Sequence, residues 1–295
     1  MLELKVIVCP IDFSEFSVRS YHHALSLAKH YRARLVALHI VELFRFSSFS
    51  FAVSAGLYDE ACRAVHENGN ERLQEFVKQY TNNEIQPDLV VHEGVAADSI
   101  LAFVQAHKAD LIVIGTHGQR GYDRLVLGSV TDRVMRSSSC PVLAVCKPPQ
   151  NSIAANERDH VHHLRRILFC TDFSQNSEQA LKYALSVRAE YDAELTLLHV
   201  LEHVPNSTEK EASMAATRAQ LGKLISAEAR KSSKIGTAVR IGKPYQQIIQ
   251  LALETQADLV AMGVRGRGAL DLAVFGSTTY RVIQLGPCPV LAVCV

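Results

Sequence analysis

ADLIVIGTHGQRGYDRLVLGSVTDRVMRSSSCPVLAVC, residues 109–146, decides the fold. Its apolar runs LIVI and PVLAV are too short for buried helices and read as strands covered on both faces. Between them lie a glycine-bearing loop and a segment over 129–137 with a helical apolar pattern. The whole unit returns as ADLVAMGVRGRGALDLAVFGSTTYRVIQLGPCPVLAVC at 257–294, 148 residues later. A strand, loop, helix and strand repeated at that distance is too long a period for a solenoid and means two homologous domains.

Working outward, VIVCPIDFSEFS (6–17) returns as ILFCTDFSQNS (167–177), with Asp12 and Asp172 160 residues apart. ARLVALHIVE (33–42) returns as AELTLLHVLE (193–202), placing His39 opposite His199. The change of offset from 160 to 148 gives the first copy 12 extra residues, expected within FRFSSFSFAVSAGLY (44–58). Four phenylalanines in eight residues make FRFSSFSF too apolar for a plain loop, and a lid or packing role is expected. Domain one is expected at 1–147, a Pro- and Asn-containing linker at 148–163 and domain two at 164–295.

Each copy alternates strand and helix. In the first, strands are expected at 5–11, 34–41, 87–94, 110–115 and 140–146, and helices at 14–31, 58–80, 96–108 and 129–137. The second follows the same plan, with its second helix expected over 208–232. Alternation of this kind gives a parallel sheet with helices on both faces, and right-handed crossovers limit the strand order. The fold class is therefore α/β: two tandem doubly wound domains, each a five-stranded parallel sheet. Ligands in such sheets sit at the carboxyl ends of the strands where the winding reverses. Strands one and four both end in polar chemistry there, at Asp12 and Gly115, and their adjacency would bring both to one crevice.

Composition narrows the function. The chain has 295 residues, 48% apolar and 21% charged, with a net charge of +1. This gives no electrostatic footprint for nucleic acid or an anionic membrane. No apolar run approaches the ~20 residues of a spanning helix, and the first residues carry no basic leader pattern. Seven cysteines, without a CxxC, lie mostly in apolar runs. They read as reduced core thiols of a cytoplasmic protein.

The loop itself reduces to G-x-x-G, nine residues, then G-S: Gly115, Gly118, Gly128 and Ser129 in copy one, Gly263, Gly266, Gly276 and Ser277 in copy two. Neither copy has the lysine of a P-loop. Copy two's Gly266-x-Gly268 follows the fourth strand and lacks the third glycine of a dinucleotide fingerprint. Glycines nevertheless admit close backbone approach, and a Gly-Ser helix start offers free N–H groups and a dipole to an anion. Turns with Ser129 as a plain N-cap are the alternative.

PIDFS after strand one, LHIV in strand two and G-x-x-G-x9-G-S before CPVLAV together resemble the universal stress protein family, in its ATP-binding branch. The resemblance covers essentially the whole chain, twice. It implies a Rossmann-like fold of the adenine nucleotide alpha hydrolase type, with the domains paired as an intramolecular pseudo-dimer through their last strands. It further implies an adenine nucleotide, ATP or AMP, in each domain, with Mg²⁺ held by Asp12 or Asp172. By resemblance Pro10 and Asp12 follow strand one as nucleotide-binding residues, the aspartate near the ribose and, with a metal, the phosphates; Ile40 offers its backbone to the adenine, and Ile114 and Gly115 line the adenine–ribose side. Gly118, Gly128, Ser129 and Val130 would hold phosphates, with His117 inside the loop. The second-copy matches are Asp172, Val200, Met262, Gly263, Gly266, Gly276 and Ser277. Thr171 departs from Ile11, Cys170 from Pro10, Arg265 from His117 and Thr278 from Val130, which separates the two sites in character.

No constellation supplies an evident base or nucleophile for phosphoryl transfer. The expectation is therefore a stress-response or signalling switch set by its ligand, without a catalytic residue. The alternatives are a weak Mg²⁺-dependent ATPase and an interaction protein with vestigial sites. His39 and His199 are expected as hydrogen-bonded strand residues, and DHVHH (159–163) as solvated linker. A further homodimer and an unidentified protein partner complete the expected associations.

Overall fold

The structure is a computed structural model that describes residues 3–42, 55–81, 85–118, 127–146, 164–202, 207–225, 234–264 and 276–293. The first half runs β1 (Val6–Pro10), α1 (Glu15–Tyr31), β2 (Arg34–Val41), α2 (Ala55–Tyr80), β3 (Asp88–Glu93), α3 (Ala96–Ala106), β4 (Leu111–Gly115), α4 (Ser129–Ser137) and β5 (Val142–Val145). The second runs β6 (Arg166–Cys170), α5 (Gln175–Tyr191), β7 (Glu194–Leu201), α6 (Ser207–Lys223), β8 (Ile235–Ile241), α7 (Pro244–Glu254), β9 (Leu259–Gly263), α8 (Ser277–Leu285) and β10 (Val290–Val293).

Strand order is β3-β2-β1-β4-β5-β10-β9-β6-β7-β8 in one ten-stranded sheet. Every pairing inside a half is parallel. The winding reverses between β1 and β4, where Ile7 pairs with Leu111 and Val8 with Ile112. The adjacency expected of Asp12 and the glycine loop is thus present.

Strand residues alternate between two cores. Ile7, Cys9, Leu111 and Val113 face the core under α1 and α2. Val8, Ile112 and Ile114 face the one under α3 and α4. Residues buried on both faces need apolar side chains at every position, which is why these strands read as continuous apolar runs.

β5 and β10 are antiparallel, and Leu143 lies opposite Leu291, its own counterpart in the repeat. The seam therefore has a local two-fold relation. Equivalent residues also face one another beside it: Leu27 and Val187, like Leu143 and Leu291, line one apolar cleft. At the ends of α1 and α5, His30 stacks on Tyr191 at 4.3 Å and reaches Glu190 Oε1 at 3.1 Å.

Two expected boundaries are corrected. α2 begins at Ala55, so the last residues assigned to the insertion are helical; the rest of the segment, 44–54, lies outside the described residues. α6 ends at Lys223, closing on a tight turn in which Leu224 N donates to Leu221 O at 3.1 Å, and 226–232 of the expected helix lie outside the described residues. The linker 148–163, with its histidines, lies outside the described residues. No helix among the described residues is long and apolar enough to cross a membrane.

Candidate functional site

Helix α1 begins where β1 ends, and the turn between them is built by side chains. Ser14 caps the helix by accepting from Ser17 N at 3.2 Å. Asp12 Oδ1 accepts from Ser14 N at 3.0 Å and from Ser17 Oγ at 2.5 Å, while Asp12 N donates to Ser17 Oγ at 3.0 Å. Phe13 takes φ 65° and Phe173, its counterpart, φ 60°. A bulky residue in the left-handed region costs about 1 kcal/mol and persists only where the surroundings over-determine it. That both copies hold it beside the aspartate marks the turn as a built feature.

The glycine loop meets this turn directly. A Cβ on Gly118 would lie 2.6 Å from Asp12 Oδ2. Gly128 N donates to Thr116 O at 2.9 Å, so the start of α4 is held against the end of β4. A Cβ on Gly128 would sit 3.3 Å from that carbonyl and 3.8 Å from Gly118 N. Asp12, Gly118 and Gly128 thus share one crevice at the switch point. The cap of α4 is Gly128 and not Ser129, and no side chain caps the helix; Ser129 is its exposed first residue. The plain N-cap reading of Ser129 is thereby corrected. The first N–H groups of α4 have no cap side chain competing with an anion.

Other expected residues sit differently. Gly115 is required by packing, since a Cβ would meet the Phe16 backbone at 3.1 Å; at Gly263 it would meet Asn176 and Ser177 at 3.0 Å. Ile114 and Met262 are buried in the core beneath α3, α4, α7 and α8. Pro10 is buried at the end of β1, and Ile40 and Val200 are half-buried in β2 and β7. His117 is buried, with Nδ1 3.0 Å from Thr116 Oγ1 and its ring 5.0 Å from that of Phe16. Val130 and Thr278 are half-buried second residues of α4 and α8.

His39 Nδ1 donates to Ile11 O, and His199 Nδ1 to Thr171 O, each at 2.7 Å. A carbonyl only accepts, so both rings carry their proton on Nδ1. Burial lowers the pKa of His39, which makes it a neutral brace for the β1 turn. The buried cysteines are structural: burial pushes Cys9 up to about 12, and Cys140 and Cys146 to about 11.

Among its described residues, the second half repeats the helix start and the aspartate turn but turns the serine differently. Gly276 N donates to Val264 O at 3.0 Å, and α8 likewise has no cap side chain. Asp172 Oδ1 accepts from Ser174 N at 3.0 Å. Ser177 Oγ, however, is turned to Thr171 Oγ1 and Ser174 O, both at 2.8 Å. The hydroxyl of Thr171, where the first half has Ile11, thus diverts the serine that in copy one holds Asp12. Arg265 and Gly266 lie outside the described residues.

Several contributors carry no weight in the sequence reading. Thr131 Oγ1 donates to Gly115 O at 2.7 Å and Thr279 Oγ1 to Gly263 O at 2.9 Å, tying the glycine helix to the strand. Arg72 of α2 sets its guanidinium 4.2 Å from the Phe13 ring centroid. Ser14, Ser17 and Thr131 have identical counterparts in copy two, which is the signal that reveals them; Arg72 has none.

The profile of the universal stress protein family matches residues 3–145 and again 163–293. The chain belongs to the universal stress protein family. A universal stress protein of Methanocaldococcus jannaschii is 36% identical over 144 residues, covering 49% of this chain and 83% of that one. One from Synechocystis is 35% identical over 133 residues, covering 44% and 85%. Each such relative matches about half of this universal stress protein. A solved universal stress protein from Archaeoglobus fulgidus covers 98% of this chain and 96% of its own, with TM-score 0.70 and 22% identity. That likeness concerns the fold.

Proposed function

We propose that this universal stress protein binds an adenine nucleotide, ATP or AMP, in each half and acts as a nucleotide-dependent switch in a stress response. The observation that carries the reading is the convergence of Asp12, Gly118 and the uncapped start of α4 on one crevice at the sheet's switch point. A carboxylate there suits ribose hydroxyls, and free helix N–H groups suit phosphates. The choice of adenine rests on the family resemblance.

Asp12 and Asp172 would be the carboxylates for Mg²⁺. One or two carboxylates completed by substrate phosphates and water is the usual magnesium set, so this donor chemistry fits. The ion would neutralise phosphate charge when bound. The two halves form an intramolecular pseudo-dimer through β5 and β10, and further pairing of whole chains or an unidentified protein partner belongs to the same reading. Domains at 1–147 and 164–295 follow from it.

Calorimetry of the purified chain with ATP and AMP tests the proposal, with mass spectrometry of small molecules released on denaturation. Saturable binding is expected, and Gly118→Val should abolish it in the first half, since a side chain there collides with Asp12. Nucleotide-free protein that binds neither compound overturns the reading.

A further inference from the structure

The first site is in contact with a residue from the other half of the chain. Leu127, the residue before Gly128, is buried at 3% exposure, and its backbone N donates to Tyr280 Oη at 3.3 Å. Tyr280 stands in the first turn of α8, where its own N donates to Gly276 O at 3.0 Å. Its ring packs against the core shared by α3, α4, α7 and α8. The hydroxyl therefore reaches across the seam, 153 residues away in sequence, to the backbone that sets Gly128.

The repeat shows that this is not a generic packing contact. Tyr280 occupies the position of Asp132 in copy one, within the aligned runs GSTTYRV and GSVTDRV. Asp132 is engaged inside its own helix: Arg136 Nε donates to Oδ2 and Arg136 Nη2 to Oδ1, both at 2.9 Å. A carboxylate held this way by a guanidinium is in a charge-assisted bidentate pair. It is shorter than the tyrosine and already engaged by Arg136, so it does not copy the tyrosine's reach. Among the described residues the support runs from the second half to the first.

We infer that Tyr280 is a positioning residue of the first candidate site, contributed by the second half and fixing Leu127–Gly128 through its hydroxyl. The inference rests on the nucleotide reading above and deepens it: the two sites are unequal, and the first is completed only in the paired chain. A buried N–H that loses its acceptor is costly, so Leu127 and Gly128 would shift to recover a partner. Gly128 starts α4, and displacing it displaces the N–H groups offered to the phosphates.

The test is Tyr280→Phe in the full chain, which removes one oxygen and keeps the ring. ATP is titrated while the amide resonances of Gly128 and Ser129 report the first site and those of Gly276 and Ser277 the second. The expected result is a first-site Kd weakened about fivefold, the size of one ordinary hydrogen bond, with the second-site Kd unchanged. The second site is the internal control, because α8 itself forms it: a merely structural loosening of α8 would weaken that site at least as much. An unchanged first-site Kd, or equal weakening of both sites, overturns the inference. Wild-type protein that binds no ATP at either site overturns the nucleotide reading instead, so the two failures are distinct.

Discussion

At the scale of single residues, one hydroxyl group divides the two sites. Ile11 leaves Ser17 to hold Asp12, whereas Thr171 draws Ser177 away from Asp172. His39 shows a second residue-scale effect, because burial lowers its pKa although its bond to Ile11 O favours the protonated ring. Its folded pKa lies below the ordinary 6.5, so the unfolded chain binds the proton more readily. Stability from this group is complete above the unfolded pKa and is lost as pH falls through 6.5 toward the folded value. His23 acts with the same sign, pushed down to about 4 chiefly by burial, then by His22 and Arg19. Urea midpoints at about pH 7 and pH 5 should therefore differ less in His39→Asn, whose amide can still donate to Ile11 O, than in wild type. An equal pH dependence in both proteins would show that His39 carries no charge penalty.

At the scale of elements, the glycine helix is positioned by its threonine as much as by its glycines. Thr131→Val keeps the shape and removes the bond to Gly115 O, leaving a buried carbonyl short of a donor. A loss of about 1–2 kcal/mol is expected in chemical denaturation, and about the same for Thr279→Val. Elements were largely legible in the sequence, since continuous apolar runs and capped amphipathic runs are local signals. β2 falls at 34–41 as the pattern predicts, and the D-F-S-x-x-S turn appears in both copies. What was not legible depends on contacts between distant segments. α6 stops at Lys223 although its composition could continue a helix. Nothing in the strand pattern shows that Gly115 is a glycine because Phe16 crosses it. Tyr280 next to Leu127 is beyond any periodicity, because the pairing exists only after the two halves dock.

At the scale of the whole molecule, the seam decides whether two halves behave as one protein. β5 and β10 are short, yet Leu143 and Leu291 are each 6% exposed and lie opposite each other at the local two-fold. Cys146 Sγ reaches Gly286 O at 3.6 Å, and His30 stacks on Tyr191, so the contact extends to both sides of the sheet. An antiparallel strand pair closes two sheet edges at once, and an edge left open is a site of unwanted association. The halves should therefore remain together without the covalent linker. With a protease site inserted at 152–158 and cut, the fragments should co-elute from a sizing column at the position of the uncut chain. Leu143→Asp places a charge in the apolar seam, where it has no partner and costs several kcal/mol. The same cut in that variant should release separate halves or an aggregate of exposed edges. The seam also carries Tyr280 to Leu127, so releasing the second half should lower first-site nucleotide affinity at least as much as Tyr280→Phe does. Wild-type fragments that separate on cutting would make the linker, and not the β5–β10 pairing, the element that holds the first site in its working form.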